Sequence, residues 1–136
     1  MKKLFCLLAG MTIFSVVYGH HGDAGRFEEN TTTIRGTVVA LQLINPHSLI
    51  IMSVEDEEGH TETWQAELGG PNNLTGRHGW NRQTLVPGDA IMVTGRLLKS
   101  GEPFINLTER ARIVKVSGCE EIFVSNSEPD QPLACS

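Results

Sequence analysis

Apolar residues recur at nearly every second position along most of this chain, and glycine, proline or acidic turns interrupt the pattern at short intervals. A side-chain period of two is that of a β-strand, whereas a helix needs apolar residues three and four positions apart. The cleanest case is the segment in which Trp64, Ala66 and Leu68 alternate with polar residues. The pattern therefore predicts a small all-β domain.

Turn residues divide the alternating pattern into five predicted strands. The pair Asn45-Pro46 ends the first strand, because proline donates no ladder hydrogen bond and biases the residue before it toward extended or turn geometry. The segment 69–73 ends the third strand, and its Pro71 suits the start of a short helix. The strands begin near Thr33, Ser48, Thr63, Ala90 and Ile105, and the helical turn spans 72–78.

The order of these elements is strand, strand, strand, short helix, strand, strand, which is the order of an OB-fold. An antiparallel sandwich is the alternative, but a sandwich usually has more than five strands. A chain of 136 residues has room for one domain. We therefore predict an all-β, five-stranded OB-like Greek-key barrel over 33–116, with a flexible N-terminal arm over 20–32 and an irregular tail over 117–136.

The segment 1–19 has the features of a secretory signal peptide. A pair of lysines precedes an apolar run over 4–17, which is shorter than the roughly 18–20 residues that a transmembrane helix needs. Small residues stand at the −3 and −1 positions of a cut after Gly19. No second apolar run follows. We therefore expect a mature chain that begins at His20, is exported to the periplasm and has no stable membrane insertion.

Two cysteines, Cys119 and Cys135, remain after the signal peptide, which contains Cys6. Export would place them in an oxidising compartment, where disulfides form and persist. A zinc site is a weaker interpretation, because no Cys-x-x-Cys motif or nearby histidine accompanies them. An intermolecular disulfide is also open. The favoured prediction is an intrachain disulfide between Cys119 and Cys135 that holds the tail.

Charge and missing motifs exclude several functions. The chain has 16 acidic and 11 basic residues, a formal charge of −5, and loss of the signal peptide makes it more acidic. This balance argues against nucleic-acid binding, which depends on clustered lysine and arginine. No Gly-x-Ser-x-Gly motif is present, and the carboxylates of 55–58 lie in a predicted solvated turn. The sequence therefore predicts a binding protein rather than an enzyme.

Six short motifs follow one another in a fixed order between residue 20 and about residue 115. They are His20-His21, Gly36-Thr37-Val38, Asn45-Pro46-His47, Gly70-Pro71-Asn72, Gly79-Trp80 and Leu85-Val86-Pro87-Gly88-Asp89. The ordered set resembles a family of small exported bacterial proteins called domain of unknown function 6152. The resemblance implies a single exported domain with no established activity. Members of the family generally lack the tail with its two cysteines, so the resemblance assigns that tail no role.

Histidines supply the candidate functional residues. Cleavage before His20 would leave a free α-amine beside an imidazole on the same residue, and His21 would add a second imidazole. Nitrogen donors of this kind suit Cu(II), which favours tetragonal nitrogen and oxygen sites. His47, beside the proline turn, is the candidate third ligand. The sequence therefore predicts a metal-binding module for copper(II) at His20, His21 and His47.

A barrel without metal is the alternative function. In that case the two N-terminal histidines are solvated residues of a disordered arm, and His47 is a turn residue that bonds backbone groups. The barrel would then be an adaptor that holds an unidentified periplasmic protein or small ligand at a strand edge or groove. His60 and His78 are expected in turn-like segments, and Trp80 is expected to close the barrel end.

Overall fold

Seven β-strands and one short α-helix make up the regular structure. The computed structural model describes residues 25–129, 131–132 and 135, so the predicted signal peptide, His20 and His21 lie outside the described residues. None of the helices in the described ranges has the length and apolar character of a membrane span. The elements are β1 (Thr32–Gln42), β2 (Leu49–Glu55), β3 (Thr61–Glu67), α1 (Pro71–His78), β4 (Ala90–Leu97), β5 (Phe104–Asn106), β6 (Arg112–Lys115) and β7 (Glu120–Val124).

Five of the strands close into a barrel. β1 pairs antiparallel with β2, β2 pairs antiparallel with β3, β3 pairs parallel with β5, and β5 pairs antiparallel with β4. β1 also pairs antiparallel with β4, from Thr32 opposite Gly95 to Thr37 opposite Ala90. This pairing closes the ring of five strands. The prediction of an all-β chain with a five-stranded barrel and one short helix between the third and fourth strands is confirmed.

Apolar side chains from all five barrel strands fill the interior, and Leu74 of α1 is buried with them. Trp80 follows the helix, is only 3% exposed and donates its indole N–H to the Ile122 carbonyl at 3.1 Å. This position agrees with its predicted place at the barrel end. Gly95 lets β4 approach β5, because a side chain there would collide with the Asn106 carbonyl.

Two predictions for the C-terminal third were wrong. The predicted fifth strand is divided into β5 and β6, because Asn106 accepts a hydrogen bond from the Thr108 N–H and Arg110 has a positive φ of 50° between the two strands. The tail is not irregular throughout, because β7 pairs antiparallel with β6. β7 also buries Phe123 in the barrel core, and this burial accounts for a strand in a segment expected to be irregular.

Part of the predicted flexible arm is packed against the barrel. Phe27 is 3% exposed, forms an antiparallel bridge with Leu98, and has its ring 6.2 Å from that of Phe104. Burial of this aromatic side chain fixes this part of the arm against the barrel. The segment 20–24 lies outside the described residues.

Beyond β7, a disulfide and the side chain of Gln131 hold the end of the tail. Cys119 and Cys135 form a disulfide with their Cα atoms 5.6 Å apart, as predicted, and such a bond indicates an oxidising environment. The side-chain amide of Gln131 donates to the Thr31 carbonyl and accepts from the Thr33 hydroxyl, both at 2.7 Å. The tail therefore has a covalent attachment and a hydrogen-bonded one.

Candidate functional site

His47 lies in the loop between β1 and β2, and half of its side chain is exposed. The cis Pro46 peptide bond precedes it. The next residue, Ser48, is fully buried and donates its backbone N–H to the Gly69 carbonyl at 3.1 Å. The loop is thus anchored to the chain that leaves β3, and His47 is held at the carboxyl end of that strand.

Two motifs of the sequence meet at this place. Gly70, which caps the start of α1, lies so close to the Asn45-Pro46-His47 loop that a Cβ at position 70 would be 3.0 Å from the Pro46 carbonyl. A larger residue would push the loop and helix apart. The glycine of the Gly70-Pro71-Asn72 motif therefore serves the packing of the loop that carries His47.

A carboxylate lies beside the His47 ring. Nδ1 of His47 is 3.2 Å from Oε1 of Glu67, the last residue of β3, whose side chain is 24% exposed. Glu67 stands opposite Asn106 in the parallel pairing of β3 with β5. The Asn106 amide nitrogen is 3.5 Å from the same carboxylate oxygen. His47, Glu67 and Asn106 therefore form one polar group at this end of the barrel.

The described beginning of the chain leads away from His47. The backbone around Phe27 runs antiparallel to the end of β4. β4 is antiparallel to β5, and β5 runs parallel to β3, which ends at Glu67. The segment around Phe27 therefore runs in the same direction as β3. From Phe27 toward Gly25, the chain moves away from the carboxyl end of β3, where His47 lies. The described residues contain only His47 of the three predicted metal ligands, so that ligand set stays a prediction.

A second histidine group lies in the turn between β2 and β3. Nδ1 of His60 is 3.3 Å from Oδ2 of Asp56 and 3.6 Å from Oε2 of Glu58, and all three side chains are exposed. Oδ1 of Asp56 accepts the backbone N–H groups of Glu58 and His60 at 2.9 and 2.8 Å. The hydrogen bond from the His60 backbone is the largest influence that lowers the pKa of Asp56. This geometry matches the solvated acidic turn predicted from the sequence.

His78, at the end of α1, is a packing residue. Its ring centre is 4.9 Å from that of Phe123 in β7, and Phe123 in turn lies edge-on to Trp80 at 6.0 Å. The three rings cover the same end of the barrel as α1. His78 thus has the structural role expected of it at the barrel mouth.

Sequence reasoning missed Glu67 and Asn106. Alternation marks Glu67 only as a polar residue of a strand, and Asn106 lies inside the segment predicted as one long fifth strand. Parallel pairing of β3 with β5 brings them together, and this pairing leaves no local mark in the sequence. The one available signal is a polar residue, Asn106, between the buried apolar residues Ile105 and Leu107.

Comparison with known proteins gives a family but no activity. Residues 9–104 match the model of the family of unknown function DUF6152. The match covers more than half of the chain, so the protein belongs to this family. A search of curated proteins finds no match. The function therefore has to be argued from the site.

Proposed function

We propose that this protein is a copper-binding module of the periplasm, exported by the segment 1–19 and built on a barrel of the OB type. The single observation that supports it best is the contact of His47 with Glu67. Histidines that ligate metals almost always donate their second ring nitrogen to a carboxylate, a carbonyl or water. His47 has such a carboxylate at 3.2 Å and is half exposed.

The mature N-terminus supplies the remaining donors in this proposal. His20 would chelate Cu(II) through its α-amine and imidazole, and His21 would add a second imidazole. An α-amine has a pKa of about 7.7–8.0, so protons compete with the metal near neutral pH and affinity should rise with pH. Gly25 follows His20 by five positions, and five residues extend over at most about 18 Å. A shared ion with His47 requires this segment to reverse its direction.

The test compares Cu(II) affinity between the native N-terminus and a chain with one extra residue before His20. The extra residue blocks the amine–imidazole chelate and leaves every side chain in place. We expect the extended chain to bind more weakly, and His47→Ala to weaken binding in the native chain. His60→Ala is the matched control, because it removes an exposed imidazole that also contacts carboxylates. Equal affinity of native and extended chains would contradict the N-terminal chelate.

An adaptor without metal is the second candidate function, and exposed apolar side chains favour it. Val39 and Ile44 are 50% and 48% exposed; Val39 lies in β1, and Ile44 lies in the loop after β1 that also carries His47. These side chains offer apolar contact area to a protein partner. Protein purified without metal but with a stoichiometric partner, which is lost in a Val39→Ser, Ile44→Ser double variant, would support the adaptor instead.

A further inference from the structure

Asn106 is a buried polar residue whose amide orientation is fixed. It is 3% exposed, and its Oδ1 atom accepts the backbone N–H of Thr108 at 3.1 Å and the Thr108 hydroxyl at 2.7 Å. A backbone N–H can only donate, so the atom that faces it has to be the amide oxygen. The amide nitrogen of Asn106 must therefore point the other way, toward Glu67.

Two side-chain nitrogen atoms lie near one oxygen of Glu67. The Asn106 amide nitrogen is 3.5 Å from Oε1, and the His47 Nδ1 atom is 3.2 Å from it. An ionised carboxylate only accepts hydrogen bonds, so the contact favours a proton on the His47 nitrogen that faces it. Within the described residues no group bonds the other ring nitrogen, Nε2. In the neutral ring with its proton on Nδ1, the lone pair of Nε2 is available to coordinate a metal ion.

We propose that Asn106 and Glu67 are positioning residues that hold neutral His47 with its proton on Nδ1 and so make Nε2 its metal-binding atom. The buried amide sets the direction of the carboxylate, and the carboxylate sets the tautomer of the ring. The identity of the metal as copper rests on the proposed function. The tautomer itself is a property of the metal-free protein and does not depend on copper.

Nitrogen NMR of the metal-free protein tests the tautomer directly. The spectrum is recorded for the neutral form of the ring, in which one nitrogen carries a proton and the other does not. We expect His47 to be protonated mainly on Nδ1. In Glu67→Ala the proton should shift toward Nε2, the nitrogen that a histidine ring favours when no partner contacts Nδ1. Glu62→Ala is the matched control, because Glu62 lies on the same strand but bonds the Trp64 indole instead, and it should leave the His47 signals unchanged.

A substitution at Thr108 tests the positioning role of the buried residue Asn106. Thr108 is exposed, so Thr108→Val should fold normally while it removes one of the two hydrogen bonds that orient Asn106. We expect a smaller shift of the His47 tautomer than in Glu67→Ala. A purely structural role for Asn106 predicts a loss of stability in Thr108→Val with no change in the His47 ring signals, and that result would overturn its positioning role.

Copper affinity separates this inference from the proposed function. Loss of an outer-sphere partner typically weakens metal binding about 10–100-fold, and we expect a loss in that range for Glu67→Ala. Should the tautomer shift as expected while His47→Ala leaves Cu(II) affinity unchanged, the positioning role stands and the copper site at His47 fails. A wild-type ring protonated mainly on Nε2 would overturn the positioning role whether or not copper binds.

Discussion

The two ends of β3 each bring a histidine to a carboxylate, but only one of these groups is supported from inside the barrel. At the carboxyl end, His47 contacts Glu67, which is itself bonded by buried Asn106. At the amino end, His60 contacts Asp56 in an open turn, and their side chains are 77% and 52% exposed. Exposed pairs of this kind contribute little free energy, because solvent screens the charges and the side chains lose entropy.

The comparison shows that residue type alone does not define a site in this protein. The turn has more ligand atoms in one place than the His47 end, yet its Asp56 carboxylate is occupied by the backbone N–H groups that shape the turn. At the His47 end, one hydrogen bond from the interior, donated by the Asn106 amide at 3.5 Å, reaches the carboxylate that faces the ring. We therefore expect changes at the two ends to have different consequences.

Reduction of the disulfide in the tail should have the largest effect on stability. It should not affect the histidine group at either end of β3. The disulfide joins residues 16 positions apart, and closing a loop of about that length is worth about 3 kcal/mol in the chain-entropy model. Reduction should lower the free energy of unfolding by up to that amount, as measured in urea. The NMR signals of His47 and His60 should stay in place, because both belong to the barrel. Alkylation of both thiols in unreduced, denatured protein would contradict the disulfide.

A substitution on β4 should disturb only the His47 end. Gly95→Ala would press a methyl group against the Asn106 carbonyl, and overpacking of this kind costs about 1–3 kcal/mol. We expect lower stability in urea and shifted signals of His47 but not of His60. Gly76→Ala is the control, since position 76 is exposed on α1 with no atom within 4 Å of an added Cβ. Alanine there should stabilise the helix by up to about 1 kcal/mol.

Copper affinity should differ between the two histidines. His47→Ala removes a ligand with an oriented ring, and we expect at least the roughly tenfold loss seen when a partner of a metal ligand is removed. His60→Ala should leave affinity within error of the wild type. Competition titration with a chelator of known affinity measures both variants. A larger loss of Cu(II) affinity in His60→Ala than in His47→Ala would indicate that the metal binds at the turn and not at His47.

The smallest effect concerns acid stability at the turn. Hydrogen bonds from the backbone lower the pKa of Asp56 below its ordinary value of 3.8. A carboxyl whose pKa is lower in the folded state stabilises the fold above its unfolded pKa, and this contribution disappears as the pH falls through the folded value. Asp56→Asn should therefore flatten the dependence of Tm on pH below about pH 4. An unchanged profile in this variant would show that the Asp56 carboxylate does not support the turn.

The sequence was sufficient for the barrel but only partly for the site. Alternation around Trp64 and the breaks at Pro46 and Pro71 reflect local backbone preferences, so the strands and the short helix could be predicted. The break after Asn106 could not, because it depends on a side-chain hydrogen bond to Thr108. β7 was missed because its acidic start resembles a tail and its pairing partner, β6, lies in the segment expected to end the barrel.

Only part of the candidate site could be predicted from the sequence. His47 could be singled out because a histidine beside a proline turn is visible in the sequence. Its partner Glu67 could not, because the loop that carries His47 folds back on the end of β3 through Ser48 and Gly69. Asn106 needed the parallel pairing of β3 with β5, which joins segments far apart in the chain. Contacts of this range depend on the closed barrel as a whole.

Metal content tests the central claim most directly. The protein should be purified without added metal from cells that export it, and intact mass should confirm that the chain begins at His20. We predict about one copper ion per chain by elemental analysis, since a donor set of this kind binds copper above the other divalent metals of the first transition row. A chain that begins at His20, carries no copper and fails to take up Cu(II) in titration would contradict the account.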